Sequence, residues 1–255
     1  MGNRSSKVKS LPETKVQPRN IFALGIIDVQ NDFCEGGTLA VPNAVSILGP
    51  INKLRFAYYD NIPTFLSQDF HPTDHVSFNT THNKPLYSKQ NLVLRMDNKE
   101  IECVEQIMWP VHCVANTAGS NMHKDLILTK YDFIVHKGTK PKVESYSAFG
   151  DEMGGKYEKT ELNEWLESQN ITDIILTGLA TDYCVLNTAL DAVKMGYTVH
   201  LISDCTRGVA ENTTATAREK MTNQGIHMYG SVDDFITEHS SVILKQSTRR
   251  NKIQL

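Results

Sequence analysis

The fold is decided by the stretch IILTGLATDYCV, residues 174–185, in which an apolar run leads to a cysteine at the start of a helical pattern. The first residues are typical of a buried parallel strand, and the apolar stripe Val185, Ala189 and Ala192 predicts an amphipathic helix. Cys184 therefore lies at a predicted helix N-terminus, where unpaired N–H groups and the helix dipole favour a thiolate. The sequence predicts a nucleophilic thiol here, and the alternative is a small buried cysteine without a chemical role.

Two further apolar runs each end in a charged residue. Asp28 closes the run FALGII, residues 22–27, and Lys137 closes the run FIVH, residues 133–136. The carboxyl ends of parallel strands face the ligand crevice of an open sheet, so Asp28, Lys137 and Cys184 are expected to converge. There Asp28 would accept the thiol proton and Lys137 would stabilise the anions. Taken singly, Asp28 could instead cap a turn, and Lys137 could be a solvated strand end.

A third group of residues predicts a metal site. Asp69 and His71 lie two apart, on the same side of an extended segment, and His112 follows in the segment WPVHC, residues 109–113. Aspartate and histidine together suit a divalent ion such as zinc, and three protein ligands leave positions open for water or substrate. Glu144 is a possible fourth ligand. The competing histidines in the same loop are His75 and His82.

Strand patterns and helical patterns alternate along the chain. This alternation predicts a three-layer α/β fold, a mostly parallel open sheet with helices on both faces. The predicted strands cover residues 23–28, 64–68, 132–136, 174–177, 198–203 and 227–229. The predicted helices cover residues 45–59, 120–128, 160–168, 185–195 and 213–223. Right-handed crossovers would place the residues that follow the strands on one rim of this sheet.

The chain is predicted to form one domain over residues 20–245. The polar N-terminal residues 1–19 and the basic C-terminal residues 246–255 are predicted to be poorly ordered tails. Between His71 and Trp109 lies an irregular polar stretch that is too long for a simple connection. Such a stretch predicts a lid or a binding loop.

Composition argues against several classes of function. A net charge of −3 and a pI near 6.3 provide no basic surface for nucleic acid. No apolar run approaches the roughly 20 residues of a membrane span, and the N-terminus lacks an apolar signal region. Five cysteines without paired spacing predict free thiols and a cytoplasmic protein. The start MGNRSS fits an N-myristoylation pattern, so weak membrane association through Gly2 is the alternative.

Five ordered motifs carry a resemblance to a known family. They are DVQNDF at 28–33, DFHP at 69–72, WPVHC at 109–113, KG at 137–138 with ESYSAF at 144–149, and GLATDYCV at 178–185. With these motifs the chain resembles the nicotinamidases, which belong to the isochorismatase-like cysteine hydrolases. The resemblance extends from about residue 21 to about residue 236.

The resemblance implies a catalytic triad of Asp28, Lys137 and Cys184. It also implies an oxyanion hole made by the backbone N–H groups of Ala180 and Cys184, with a cis peptide bond before Ala180. The implied metal is one divalent ion, with zinc preferred over iron or manganese. The implied metal ligands are Asp69, His71, His112 and, as in the eukaryotic-type members, Glu144.

Phe33, Trp109 and Tyr183 resemble the residues that line the substrate ring in this family, although each could simply pack in the core. The implied reaction converts nicotinamide to nicotinate and ammonia through a cysteine thioester, a step of NAD salvage. Two alternatives stay open. One is hydrolysis of another small amide, including pyrazinamide-like substrates, and the other is a non-catalytic binding module on the same scaffold. A homo-oligomer is also possible.

Overall fold

The structure, a computed structural model, describes residues 20–58, 61–95, 101–151 and 156–246. Its strands are β1 (Phe22–Ile27), β2 (Thr64–Asp69), β3 (Lys89–Arg95), β4 (Ile101–Ile107), β5 (Phe133–Lys137), β6 (Asp173–Leu179), β7 (Thr198–Arg207) and β8 (His227–Tyr229). Its α-helices are α1 (Leu48–Tyr58), α2 (Asn79–His82), α3 (Leu162–Ser168), α4 (Leu186–Lys194), α5 (Glu211–Asn223) and α6 (Val232–Ile243). Six strands form one sheet in the order β5-β2-β1-β6-β7-β8, and every neighbouring pair is parallel.

The central strand β1 is buried along its whole length and contributes to two hydrophobic cores. Leu24 and Ile26 belong to the core that α1 and α6 cover. Ala23 and Ile27 belong to the core on the other face, which α3, α4 and α5 cover. Successive side chains of a strand point to opposite faces, so an unbroken apolar run suits a sheet covered on both sides. The predicted three-layer α/β fold is therefore confirmed.

The order of the strands brings distant parts of the chain to one edge of the sheet. The chain leaves β1 for β2 on one side and later returns to β6 on the other, so the strand order reverses beside β1. Across this region Asp69 pairs with Lys137, and Ile27 lies between Ser67 and Gly178. Ligands bind at such switch points, outside the carboxyl ends of the strands. We call this side of the sheet the carboxyl edge.

The predicted helix over residues 120–128 is wrong. This segment contains turns, and its backbone is engaged elsewhere: the N–H of Asn31 donates to Asn121 (2.9 Å), and the N–H of His123 donates to Val29 (2.8 Å). These bonds tie the segment to the chain that leaves β1. Tertiary hydrogen bonds have replaced the local ladder that a helix would need.

The sequence predicted an irregular stretch between His71 and Trp109, but the structure has regular elements there. This stretch contains the single helical turn α2 and the antiparallel pair of β3 and β4. The sequence analysis also omitted α6, which begins with a capping box between Ser231 and Asp234. Whether the hairpin moves as a lid stays a prediction.

Both predicted tails lie almost wholly outside the described residues, and so does Gly2. Gln246, assigned to the C-terminal tail, instead bonds to the edge of the domain. Its side chain accepts from the N–H of Phe22 (2.9 Å) and donates to the carbonyl of Phe22 (2.8 Å). Within the described part of the chain, no helix is long and apolar enough to cross a membrane.

Candidate active site

Lys137 lies at the centre of a cluster of buried charges at the carboxyl edge. Its Nζ atom pairs with Oδ2 of Asp28 (2.9 Å) and with Oδ1 of Asp69. The same atom donates to Sγ of Cys184 (3.3 Å) and to the carbonyl of Ser145 (3.2 Å). Lys137 and Asp28 are completely buried. The structure thus brings together the three residues that the sequence had assigned to the ends of three strands.

The charges of this cluster determine one another's pKa values. Burial lowers the pKa of Lys137, but Asp28 and Asp69 outweigh it and raise that pKa well above its ordinary value. Burial acts to raise the pKa of Asp69, yet Lys137 and His71 hold it well below its ordinary value. At Asp28, burial raises the pKa and Lys137 lowers it. The charge of Asp69 adds to the effect of burial, so the pKa of Asp28 is raised overall. Asp28 is therefore the carboxylate better suited to accept a proton.

The environment of Cys184 opposes the lowered pKa that its position near a helix N-terminus predicts. Burial raises the pKa of Cys184 well above its ordinary value, and the carboxylates of Asp28 and Asp69 add to this, although Lys137 opposes them. The helix-terminus argument considered only local sequence. It could not include the desolvation and the two carboxylates, which other strands supply. A raised pKa favours the thiol over the thiolate, so a base beside the sulfur would assist its ionisation.

A tight backbone turn carries Cys184 from β6 into α4. Gly178 has φ +107°, and a Cβ atom there would lie 2.0 Å from the carbonyl oxygen of Ile27. Only glycine allows this approach and this backbone angle. The peptide bond between Leu179 and Ala180 is cis, which confirms the prediction from the resemblance. Residues Thr181–Val185 form a π-helical turn, and α4 begins directly after it.

Asp69, His71 and His112 form a compact group of potential metal ligands beside the charge cluster. One ligand atom of each residue lies within 4.8 Å of the others. Oδ2 of Asp69 is 3.5 Å from Nε2 of His71 and 3.7 Å from Nε2 of His112. The other carboxylate oxygen of Asp69, Oδ1, pairs with Lys137. Asp69 therefore joins the predicted metal ligands to the charge cluster.

The hydrogen bonds of the two histidines fit a metal ion. Nδ1 of His71 lies 2.8 Å from the carbonyl of Gly138, and Nδ1 of His112 lies 2.7 Å from the carbonyl of Pro110. Carbonyls only accept, so Nδ1 of each ring carries a hydrogen, and in the neutral form that binds a metal Nε2 keeps its lone pair. Nε2 of His71 is buried and has no hydrogen-bond partner among the described residues. Two imidazoles oriented by carbonyls, with a carboxylate between them, match a zinc site that keeps open positions.

The competing histidines have other partners. Nδ1 of His75 bonds to the hydroxyl of Ser77 (2.8 Å), and Nε2 of His75 bonds to the carbonyl of Val143 (3.0 Å), so both ring nitrogens are engaged. The ring of His75 stacks on His71 with centroids 4.0 Å apart. Nε2 of His82 bonds to the carbonyl of Val76 (2.9 Å). The ring of His75 therefore packs against His71 with both nitrogens engaged, and His82 ends helix α2.

The structure groups Glu144 with His71 and His75, and not with the complete set of Asp69, His71 and His112. Oε1 of Glu144 accepts from the N–H of Ser145 at 2.8 Å. A direct bond from Glu144 to an ion held by the other three ligands therefore stays a prediction.

A pocket with about 360 Å³ of empty space opens onto the charge cluster. Cys184, Ala180 and Asp69 are among its lining residues. The remaining lining residues are apolar or aromatic apart from one histidine: Phe33, Leu39, Val41, Trp109, His112, Tyr146, Tyr183 and Val209. A mostly apolar and aromatic lining with a few polar groups is typical of small-molecule sites.

Two of the aromatic rings that the sequence assigned to the pocket contact each other. Trp109 and Tyr183 meet edge to face with centroids 5.0 Å apart. The sequence did not single out Tyr146, whose hydroxyl accepts from Nε1 of Trp109 (2.9 Å). Its position two residues after Glu144, in a motif already noted, was the available signal.

Sequence reasoning also missed two residues that hold the carboxylates in place. Gln30 is completely buried, and its amide donates to the carbonyl of Asp69 (2.8 Å) and accepts from the N–H of Asp69 (2.9 Å). The hydroxyl of Ser67 donates to Oδ1 of Asp28 (2.6 Å). The signal in the sequence was a glutamine two positions after Asp28, in the motif DVQNDF that follows an apolar run.

Comparison with known proteins follows this geometry. Residues 22–232 match the model of the isochorismatase domain. A nicotinamidase of Escherichia coli K12 is 39% identical over 214 residues, which are 83% of this chain and 95% of that protein. The yeast nicotinamidase bound to the inhibitor nicotinaldehyde superposes with a TM-score of 0.77 at 30% identity, covering 82% of this chain and 99% of that one.

The pyrazinamidase of Pyrococcus horikoshii in complex with zinc superposes with a TM-score of 0.65 at 30% identity, covering 81% of this chain and 97% of that one. The likeness to all three proteins spans nearly their whole length. The chain therefore belongs to the isochorismatase family and, within that family, to the group of the nicotinamidases.

Proposed function

We propose that this chain is a metal-dependent amidase that hydrolyses nicotinamide to nicotinate and ammonia through a thioester on Cys184. One observation carries the proposal: the thiol of Cys184 lines an aromatic pocket, and it lies 3.3 Å from the Lys137 ammonium, which pairs with the Asp28 carboxylate. A small aromatic amide has the shape and polarity for such a pocket. The named activities of the relatives support the same reaction.

In the proposed reaction Asp28 accepts the proton of Cys184 as Sγ attacks the carboxamide carbon. The raised pKa of Asp28 suits a base, and the charge of Lys137 stabilises the thiolate as it forms. The carbonyl oxygen becomes an oxyanion, and we assign its stabilisation to the backbone N–H groups of Ala180 and Cys184. Asp28 then passes its proton to the departing nitrogen, so that ammonia leaves and a thioester remains.

Water completes the cycle. Asp28, again a carboxylate, accepts a proton from the water molecule that attacks the thioester carbon. The C–S bond breaks, nicotinate forms and the proton returns to the sulfur of Cys184. The short distance between Asp28 and Cys184 supports one base for both steps. One side-chain atom of each, together with one of Asp69, lies within 4.8 Å of the others.

We assign the metal site to Asp69, His71 and His112, with Glu144 as a weaker fourth contact. A divalent ion held there, zinc in first place, would supply Lewis acidity and an activated water next to the pocket. Asp69 and His112 line the same pocket as Cys184, which supports a role close to the substrate. The backbone carbonyls of Gly138 and Pro110 would hold His71 and His112 in the tautomer that binds a metal through Nε2.

Release of ammonia from nicotinamide by the purified, zinc-loaded protein tests the proposal. We expect turnover that chelation removes and that zinc restores, and no turnover by Cys184→Ala. Pyrazinamide and a panel of small aliphatic amides are assayed in parallel. Hydrolysis of an aliphatic amide without hydrolysis of nicotinamide would contradict the substrate assignment, and loss of all amidase activity would favour the binding-module alternative.

We place this reaction in the cytoplasm, as the sequence predicts. Four of the five cysteines, Cys34, Cys113, Cys184 and Cys205, are buried free thiols, as expected in a reducing compartment. Weak membrane association through Gly2 and a homo-oligomer stay predictions.

A further inference from the structure

The carboxylate of Glu158 is buried against the turn that follows Lys137. Its Oε2 atom accepts from the N–H of Gly138 (3.0 Å). Its Oε1 atom accepts from the N–H of Thr139 (2.8 Å) and from the hydroxyl of Thr139 (2.5 Å). Three donors therefore converge on one carboxylate that is only 4% exposed. The mechanism above gives Glu158 no part.

The turn that Glu158 holds is in direct contact with the predicted metal ligand His71. Gly138 has φ +60°, and its carbonyl accepts the Nδ1 hydrogen of His71 at 2.8 Å. A Cβ atom on Gly138 would lie 2.4 Å from Cε1 of His71, so the backbone of Gly138 touches the imidazole ring. A shift of this turn would therefore change both the hydrogen bond and the wall that orient the ring.

Hydrogen bonds from Asp151, earlier in the same chain, fix the backbone of Glu158. The carboxylate of Asp151 accepts from the N–H of Tyr157 (2.6 Å) and from the N–H of Glu158 (2.5 Å). The N–H of Asp151 donates to the carbonyl of Glu158 (2.8 Å). This bracing limits the movement of the Glu158 side chain, which is what a residue that orients another group requires.

We infer that Glu158 is a positioning residue for metal binding: its carboxylate holds the turn at Gly138 and Thr139, and through that turn it fixes the tautomer and the orientation of His71. Groups that orient metal-bound histidines typically change metal affinity by about 10- to 100-fold when they are removed. The inference rests on the proposed metal site of this amidase. It does not depend on which amide the protein hydrolyses.

The experiment measures the zinc affinity of the full chain by competition with a chromophoric chelator. We expect Glu158→Ala to bind zinc about 10- to 100-fold more weakly than the wild type. Glu158→Gln keeps one accepting oxygen but turns an NH₂ group toward a backbone donor, so we expect an intermediate loss, about threefold to tenfold. Partial rescue by the glutamine variant is the signature of a hydrogen-bonding role.

Two control variants separate positioning from general loss of stability. Glu164→Gln removes an exposed carboxylate that pairs with Lys159 on the surface, and it should leave zinc affinity unchanged. Ile243→Val truncates a fully buried side chain of α6, so it lowers thermal stability while zinc affinity stays within about twofold of the wild type. Circular dichroism and the melting temperature are recorded for every variant.

Wild-type zinc affinity in folded Glu158→Gln and Glu158→Ala would overturn the inference. If Glu158→Ala fails to fold, wild-type affinity in the glutamine variant alone overturns it. Zinc affinity is measured without substrate, so the result is independent of nicotinamide turnover. A protein that binds zinc as described and hydrolyses a different amide would contradict the proposed substrate and leave this inference in place.

Discussion

The two ends of the sheet each hold a buried histidine paired with an aspartate, and they differ in how their hydrogen bonds are satisfied. At the amino ends of the strands, Nε2 of His200 bonds to Asp173 (3.0 Å), and Nδ1 of His200 lies 3.4 Å from the hydroxyl of Tyr229. That hydroxyl also bonds to Nε2 of His239 (2.8 Å). At the carboxyl edge, Nε2 of His71 is left without a hydrogen-bond partner among the described residues.

This difference separates packing from chemistry. A buried polar group without a partner costs free energy, so such groups are few, and one beside a pocket is available to bind a ligand. We call Asp173, His200, Tyr229 and His239 the amino-end cluster. In it both ring nitrogens of His200 have hydrogen-bond partners, as in a structural network. The carboxyl edge instead combines an imidazole nitrogen without a hydrogen-bond partner among the described residues, a thiol with a raised pKa and a carboxylate with a raised pKa. The predictions below test whether function follows this division.

The largest expected effect distinguishes two buried thiols. Cys184→Ala should lower nicotinamide turnover by at least about 10⁴-fold, because no other group in the pocket can form the thioester. Cys205→Ala is the matched control. Cys205 is also buried, but its thiol donates to Oδ1 of Asp204 (3.4 Å) in the core.

Steady-state rates of ammonia release, together with mass spectrometry of acid-quenched protein, measure this effect. The acyl adduct should appear on the Cys184 peptide of the wild type. Equal loss of activity in the two alanine variants would end the distinction between the thiols.

The second prediction exchanges one carboxylate at each end of the sheet. Asp28→Asn should lower turnover by about 10²- to 10⁴-fold while the protein stays folded, because the amide cannot accept a proton. Asp173→Asn should leave turnover per folded molecule nearly unchanged. It should lower the free energy of unfolding by about 1 to 3 kcal/mol, because the amide keeps an accepting oxygen for His200 but loses the charge of the buried carboxylate.

Urea denaturation and ammonia release are measured on both variants. A reversal, with Asp28→Asn unstable but active, would mean that Asp28 and Lys137 form only a structural ion pair at the strand ends.

The third prediction compares histidines for metal binding. His71→Ala should weaken zinc binding by more than about 100-fold, since it removes a direct ligand and not an outer partner. His200→Ala and His75→Ala should retain nearly stoichiometric zinc, although each should lower stability. Elemental analysis after dialysis against a weak chelator gives the metal content. Full zinc content in His71→Ala would show that another residue supplies the ligand.

The smallest effect concerns pH and the amino-end cluster. Burial and then His200 hold the pKa of His239 below its ordinary 6.5. The unfolded chain then binds this proton more readily than the folded one, so the contribution of His239 to stability is full above pH 6.5 and decreases as the pH falls below it. His239→Gln should lessen the fall in melting temperature between pH 7.5 and 5.5, by about 2 °C or less for a partly buried group.

Thermal melts of the wild type and His239→Gln across this pH range measure the difference. Parallel curves would show that His239 does not titrate differently on folding.

The fold and most of the site could be predicted from the sequence because the informative residues lie where strands end. Asp69 and Lys137 each end a strand and Asp28 directly follows one, and the rules of parallel sheets bring such positions to one edge. The hairpin of β3 and β4 was missed because its two runs are rich in polar and charged residues. Such runs were taken for a loop, although antiparallel strands commonly expose one face to water.

What the sequence could not supply depends on contacts between distant segments. The direction of the Cys184 pKa shift depends on burial and on carboxylates that lie more than 100 residues away in the chain. Glu158 reaches Gly138 across 20 residues of sequence and belongs to none of the motifs. The false helix at residues 120–128 had a plausible local pattern. Bonds from Asn31 and to Val29, which no local pattern reports, determined its conformation.

The Lys137 cluster also has a consequence for how the chain folds. Lys137 contacts Asp69 across 68 residues and Cys184 across 47, so the cluster requires β1, β2, β5 and β6 to be aligned together. Contacts between distant segments of a parallel sheet form slowly, because the closure of long loops precedes them. Cys184 should thus stay open to alkylation until the last strands dock. The extent of Cys184 alkylation by a pulse of thiol reagent, measured at successive times of refolding, would then report when the sheet is complete.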